Sequence, residues 1–86
     1  MIVQYTRVAL KALDRIPVAT AKRIRAKIDQ YAANPANPAS LANVVKRLTG
    51  RPGYRMRIGD YRVIFDQDGT VLHILKIGPR GSVYED

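Results

Sequence analysis

Arginines at positions 55, 57 and 62 fall within YRMRIGDYRVIF (54–65), each flanked by apolar or aromatic neighbours. A guanidinium stays charged and presents a planar fork of donors that matches phosphate oxygens. Gathered on one surface, such groups would hold a polyanion and stabilise negative charge building on a phosphate under attack. The stretch GPRGSVYED (78–86) adds Arg80 and Tyr84. An exposed tyrosine can stack on a base or take part in proton transfer. His73 is the one histidine, and imidazole is a side chain suited to acid–base work. Arg51 and Lys46 supply further cations for a nucleic-acid backbone. Structural readings compete at each position. The arginines could cover Ile64 and Leu75 on a solvated face with their aliphatic stems, His73 could simply pack, and Tyr84 could anchor a terminal segment.

The elements that must position these residues can be read from pattern. IVQY (2–5) is rich in β-branched and aromatic residues and predicts a strand. Thr6 can cap a helix over 7–15 with Leu10 and Leu13 facing inward. Pro17 suits the start of a second helix over 18–33, whose Ala21, Ile24, Ile28 and Tyr31 share one face. NPANPAS (34–40) reads as a loop. The stretch 41–53 can hold a helical turn or a short extended piece, with Leu48 as its anchor. YRMRI, YRVIFDQ and TVLHILKIG then predict three antiparallel strands joined by turns at Gly59-Asp60 (Gly-X kind) and Asp68-Gly69 (Asp-Gly kind).

Two-residue turns allow the register to be counted. Ile58 then opposes Tyr61, Arg57 opposes Arg62, Met56 opposes Val63 and Arg55 opposes Ile64. In the second hairpin Phe65 opposes Leu72, Ile64 opposes His73, Val63 opposes Ile74 and Arg62 opposes Leu75. Side chains alternate between faces, so one face carries Tyr54, Met56, Val63, Phe65, Leu72 and Ile74. The other gathers Arg55, Arg57, Arg62 and His73, with Arg80 emerging at its edge. A one-residue slip would drive a strand's arginines into the core.

Length and composition bound the rest. The 86 residues suit one domain, 1–86. Net charge is +8, and ten of the 15 basic residues are arginine. That excess implies an anionic partner, with nucleic acid ahead of an acidic protein or a membrane surface. There is no cysteine, so no disulfide framework or thiolate site is expected, and one histidine cannot by itself hold zinc. No metal and no cofactor are therefore expected. No apolar run reaches the roughly 20 residues of a membrane span, and the N-terminus does not read as a signal peptide. A cytoplasmic protein is expected.

ALKALDRIP ahead of the long helix, RLTG, YRMRIGDYRVIF and KIGPRGSVYE together resemble the RelE/ParE superfamily of bacterial type II toxin–antitoxin toxins, with RelE as the better match. The resemblance covers nearly the whole chain. It implies an α+β fold: an N-terminal strand and a two-helix hairpin packed on one face of a mainly antiparallel sheet that ends in a three-stranded meander. It implies a toxin that acts in the ribosomal A site as a metal-independent mRNA endonuclease. There the ribose 2′-hydroxyl attacks the adjacent phosphate, giving a cyclic phosphate and a free 5′-hydroxyl. The family's strand cations fall on Arg55 and Arg57, its arginine after the turn on Arg62, and its late arginine and tyrosine on Arg80 and Tyr84. The implied partners are a cognate antitoxin in a heteromeric complex, the ribosome and mRNA, with no membrane. A ParE-like poison of DNA gyrase, or an inactive toxin acting only with its antitoxin, are the alternatives. Three features depart from the family. Arginines stand where RelE enzymes can have strand lysines, Pro79 stands where many relatives have histidine, and only two residues follow Tyr84. These leave the general base open, with His73 as a candidate.

Overall fold

Thr6 joins the first strand to the first helix, and its hydroxyl serves both the helix and the sheet. The computed structural model describes residues 1–33 and 45–81; the expected loop at 34–40 and Tyr84 lie outside the described residues. Strand β1 spans Ile2–Tyr5. Helix α1 follows over Arg7–Arg15, and Thr6 Oγ1 accepts a hydrogen bond from the Ala9 N–H at 3.1 Å. This satisfies one of the unpaired donors of the first turn. Ala9 and Leu13, four residues apart, form the buried stripe of α1. Leu10, expected inward, is instead 42% exposed, because it lies about 100° round the helix from Ala9.

Helix α2 spans Val18–Ala33. Pro17 precedes it, and its carbonyl accepts from the Ala21 N–H at 2.9 Å, so the residue without an N–H sits where none is needed. Ile24, Ile28 and Tyr31 are buried as their spacing predicts, joined by Ala32. Burial pushes the Tyr31 hydroxyl above the ordinary phenol range, and it donates to Gln67 Oε1 at 2.7 Å. The ambiguous stretch contains strand β2, Val45–Arg47. Just beyond it the Leu48 N–H donates to Gly53 O at 2.9 Å, closing the following loop. Gly53 has φ +109°, and a Cβ there would stand 3.3 Å from Phe65 O. Only glycine suits both conditions.

Strands β3 (Tyr54–Ile58), β4 (Tyr61–Asp68) and β5 (Val71–Pro79) complete a five-stranded sheet in the order β1-β5-β4-β3-β2. β1 runs parallel to β5, and the other pairs are antiparallel. The α+β class and the helices on one sheet face are as expected. Met56, Ile58, Val63, Phe65, Leu72, Ile74 and Ile77 meet Ala9, Leu13, Ile24, Ile28 and Tyr31 in one core. Phe65 lies between Tyr31 and Tyr54, with ring centroids 5.4 and 5.5 Å away.

The first hairpin has the counted register throughout, from Ile58–Tyr61 to Tyr54–Phe65. Gly59 takes φ +56° and no described non-glycine residue has a positive φ, as a Gly-X turn requires. The second hairpin differs. Its turn is Gly69-Thr70, since Asp68 pairs with Val71 and Gly69 takes φ +59°. The expected Asp-Gly turn would need a positive φ at Asp68. Phe65 therefore opposes Ile74 rather than Leu72. Then the ladder skips Leu75: Ile64 opposes Lys76 rather than His73, Val63 opposes Ile77 rather than Ile74, and Arg62 opposes Gly78 rather than Leu75.

Leu75 is thus the extra residue of a β-bulge. Its carbonyl accepts from Thr6 Oγ1 at 2.8 Å, and the Ile74 carbonyl accepts from the Thr6 N–H at 3.0 Å. One hydroxyl accepts from the helix and donates to the bulge. Thr6→Val keeps the shape and removes both bonds. It is expected to cost about 1–2 kcal/mol, seen as a fall in Tm of about 5–15 °C, with Thr6→Ser recovering most of the loss.

Candidate functional site

The bulge decides what the outer face of the sheet carries. Leu72 and Ile74 point into the core, and so does Ile77, an odd-numbered residue after two even ones. Past Leu75 the alternation is inverted, so Lys76, Gly78 and Arg80 turn away from the helices. Without the extra residue, strict alternation would point Arg80 towards them.

A concavity of about 360 Å³ results, its described lining being Arg55, Arg57, Arg62, Arg80 and Gly81. The counted register placed the first three arginines together with Arg80 at their edge, and all four line the concavity. Arg57 and Arg62 are directly opposed, an arrangement of like charges that costs on the order of 0.2–1 kcal/mol. Arg62 is 9% exposed. Its Nη1 donates to Gly59 O at 3.0 Å and to Tyr61 O at 2.9 Å, so neutral carbonyls orient the guanidinium without cancelling its charge. The Arg80 N–H donates to Asp60 O at 2.8 Å. The Gly59-Asp60 turn therefore holds one arginine by its side chain and another by its backbone. Arg55 Nη1 is buried without a hydrogen-bond partner. A charged donor left so is costly, and an oxygen of a bound anion would satisfy it.

Lys46 opposes Arg55 on β2 and is exposed, so it extends the cationic surface at that edge. Arg51 lies beside the bowl, lining a neighbouring cleft with Ile64 and Leu75. His73 does not join the arginines. It opposes Asp66, four rows along β4 from Arg62 and about 13 Å away, and it is not in the bowl's described lining. The displaced turn moves it two rows along β4, from Ile64 to Asp66. Sequence reasoning missed Lys76 and Gly78 as outward-facing positions. The available signal was the spacing of Leu72, Ile74 and Ile77, which breaks a period of two. Among the described residues, no cluster of three His, Cys, Asp or Glu side chains could hold a metal ion, and no helix is long and apolar enough to cross a membrane.

The bowl should bind small oxyanions. At equal ionic strength, about 10 mM sulfate in place of chloride is expected to raise the wild-type Tm by about 5 °C, the shift for a millimolar site. Arg55→Ala and Arg80→Ala should lose most of that shift.

Residues 3–84 match the family described as the ParE toxin of the type II toxin-antitoxin system parDE. Among solved structures, the archaeal RelE–RelB complex from Pyrococcus horikoshii is 32% identical, with a TM-score of 0.70 over 94% of this chain and 96% of that one. The RelB–RelE complex from Methanococcus jannaschii is 23% identical, with a TM-score of 0.73 over 93% of both chains. The intact RelBE complex of E. coli is 17% identical, with a TM-score of 0.72 over 91% of this chain and 94% of that one. These last two show the shared fold alone. A search of curated protein sequences returned no match. A family match over almost the whole length, together with a fold shared with RelE, places this chain in the RelE/ParE superfamily of type II toxin–antitoxin toxins, as a RelE-like member.

Proposed function

We propose that the chain is a ribosome-dependent mRNA endoribonuclease that inhibits translation. The observation that carries this reading is the bowl: four arginines converge there, and no carboxylate is among its described lining. In the proposed reaction a ribose 2′-oxygen, losing its proton, bonds to the adjacent phosphorus. The bond to the 5′-oxygen breaks, and that oxygen takes up a proton. The products are a 2′,3′-cyclic phosphate and a free 5′-hydroxyl. Negative charge grows on the equatorial oxygens as the new bond forms. Cations already fixed in place stabilise that charge more than the ground state.

Arg62 and Arg80 are assigned to the scissile phosphate. The turn at Gly59-Asp60 holds both, so little reorganisation is needed. Arg55 and Arg57 take neighbouring phosphates, and Lys46 extends their track. Tyr84 is assigned to stacking on the target nucleotide or to proton transfer. The general base is not an arginine, which stays protonated, and His73 lies too far along β5 to serve. In this reading the toxin acts in the cytoplasm and is held inactive by a cognate antitoxin in a heteromeric complex. The relatives from Pyrococcus and Methanococcus are complexes with RelB. An acidic antitoxin segment suits a basic surface of this kind.

The family match to ParE favours one other reading, a poison of DNA gyrase whose basic face meets DNA or protein and cuts no RNA. Primer extension on a translated reporter mRNA, run beside a gyrase supercoiling assay, separates the two. Arg62→Ala and Arg80→Ala are each expected to lower cleavage about 10²–10³-fold, with circular dichroism checking the fold. His73→Ala should stay within about threefold of wild type. Unaltered cleavage by both folded arginine variants would remove the assignment, and inhibited supercoiling without cleavage would favour gyrase.

A further inference from the structure

Beside the bowl lies a second concavity of about 220 Å³, lined by Leu48, Arg51, Pro52, Ile64, Leu75 and Lys76. Its floor is unusual. Ile64 points away from the helices, yet it is only 4% exposed and stands outside the main core. The bulge places both Leu75 and Lys76 on this side of β5, so the wall has an apolar and a cationic member. Leu75 remains 36% exposed. The cleft adjoins the bowl on the same face of the sheet. Ile64 opposes Arg55 across the ladder and sits two residues from Arg62 on the same face of β4, about 7 Å along the strand.

An apolar slot with cations at its rim, next to a cluster of arginines, has the layout of a nucleotide: a flat apolar base beside charged phosphates. We propose that this cleft receives a nucleobase of single-stranded RNA, the one adjoining the phosphate held in the bowl. The inference rests on the endoribonuclease reading for the identity of the polymer. Charge distinguishes a nucleotide from an apolar protein side chain as the occupant. A leucine entering the cleft would desolvate the exposed Lys76 ammonium and bring it nothing. A nucleotide brings its own phosphates to that rim. A base also offers π faces to the Pro52 ring, the aliphatic walls and a guanidinium plane. These contacts do not read base edges, so the cleft adds affinity and fixes which nucleotide sits beside the bowl.

The test uses the full chain, with isotope-labelled methyl groups and arginine side chains, titrated with a 2′-O-methylated RNA tetranucleotide that cannot be cleaved. The same tetramer lacking one base, at each position in turn, is the comparison. Intact RNA is expected to shift the methyl signals of Leu48, Ile64 and Leu75 together with the arginine signals. Removing one particular base should silence the methyl shifts, leave the arginine shifts, and weaken binding about 5–100-fold. Leu75→Ser alters an exposed side chain and leaves the Thr6-anchored backbone in place. It should narrow the gap between intact and abasic RNA to less than about twofold. Arginine shifts without methyl shifts, or equal binding of intact and abasic RNA, would overturn the cleft and leave the bowl standing. Methyl shifts with a leucine-rich peptide but not with RNA would assign the cleft to a protein partner and overturn the inference. Cleavage on ribosomes, measured separately, decides the endoribonuclease reading whichever way this titration falls.

Discussion

One displaced residue governs the functional face. A β-strand has a period of two, so it can serve a core and a site at once only if its odd and even positions suit both. β5 does not meet that condition along its whole length. Its first half needs Leu72 and Ile74 inside, and its second half needs Ile77 inside and Arg80 outside. The bulge at Leu75 reconciles the two halves, and Thr6 pins it through two hydrogen bonds from the opposite end of the chain. The core is therefore continuous across the bulge while the outer face gains its fourth arginine.

The arginines meet at a cost that the rest of the domain offsets. Like charges across a ladder repel, and burying a guanidinium removes it from water. Arg62 answers the second difficulty with the carbonyls of Gly59 and Tyr61. Carbonyl dipoles orient a cation and leave its net charge available. A carboxylate would have bound it more tightly and hidden it from an incoming phosphate. The difference between a structural arginine and a poised one lies in that choice of partner. Arg55 shows the complement, with a buried donor that nothing in the described fold satisfies.

Local pattern revealed most of this fold. Helix positions, the Thr6 cap, the first hairpin and the pairing of Arg57 with Arg62 follow from spacing and turn chemistry, because each depends on residues near one another in sequence. Leu10 was misjudged because hydrophobicity alone does not say which stripe a short helix buries, and small Ala9 packs closer than a leucine can. The second hairpin was misread for a different reason. Asp68-Gly69 is a good turn signal, but so is Gly69-Thr70, and the second keeps the positive φ on a glycine alone. The bulge depends on Thr6, almost seventy residues away from Leu75, and no local rule reports such a bond. His73 was displaced by the turn alone, from Ile64 to Asp66. Arg80 reached the site by a route that strict alternation would have forbidden.

The parallel pairing of β1 with β5 also sets an order of events during synthesis. β1 emerges first, and its strand partner among the described residues, β5, comes from far along the chain. Contacts so distant in sequence form late, and a domain elongating from its N-terminus must wait for them. Arg80 lies just past the far end of that same partner strand, beyond the residue that Thr6 anchors. A nascent chain halted before β5 can hold helices and a hairpin but carries neither the inverted alternation nor the fourth arginine. Three arginines can gather on the β3–β4 hairpin, and the fourth joins them only once β5 has docked.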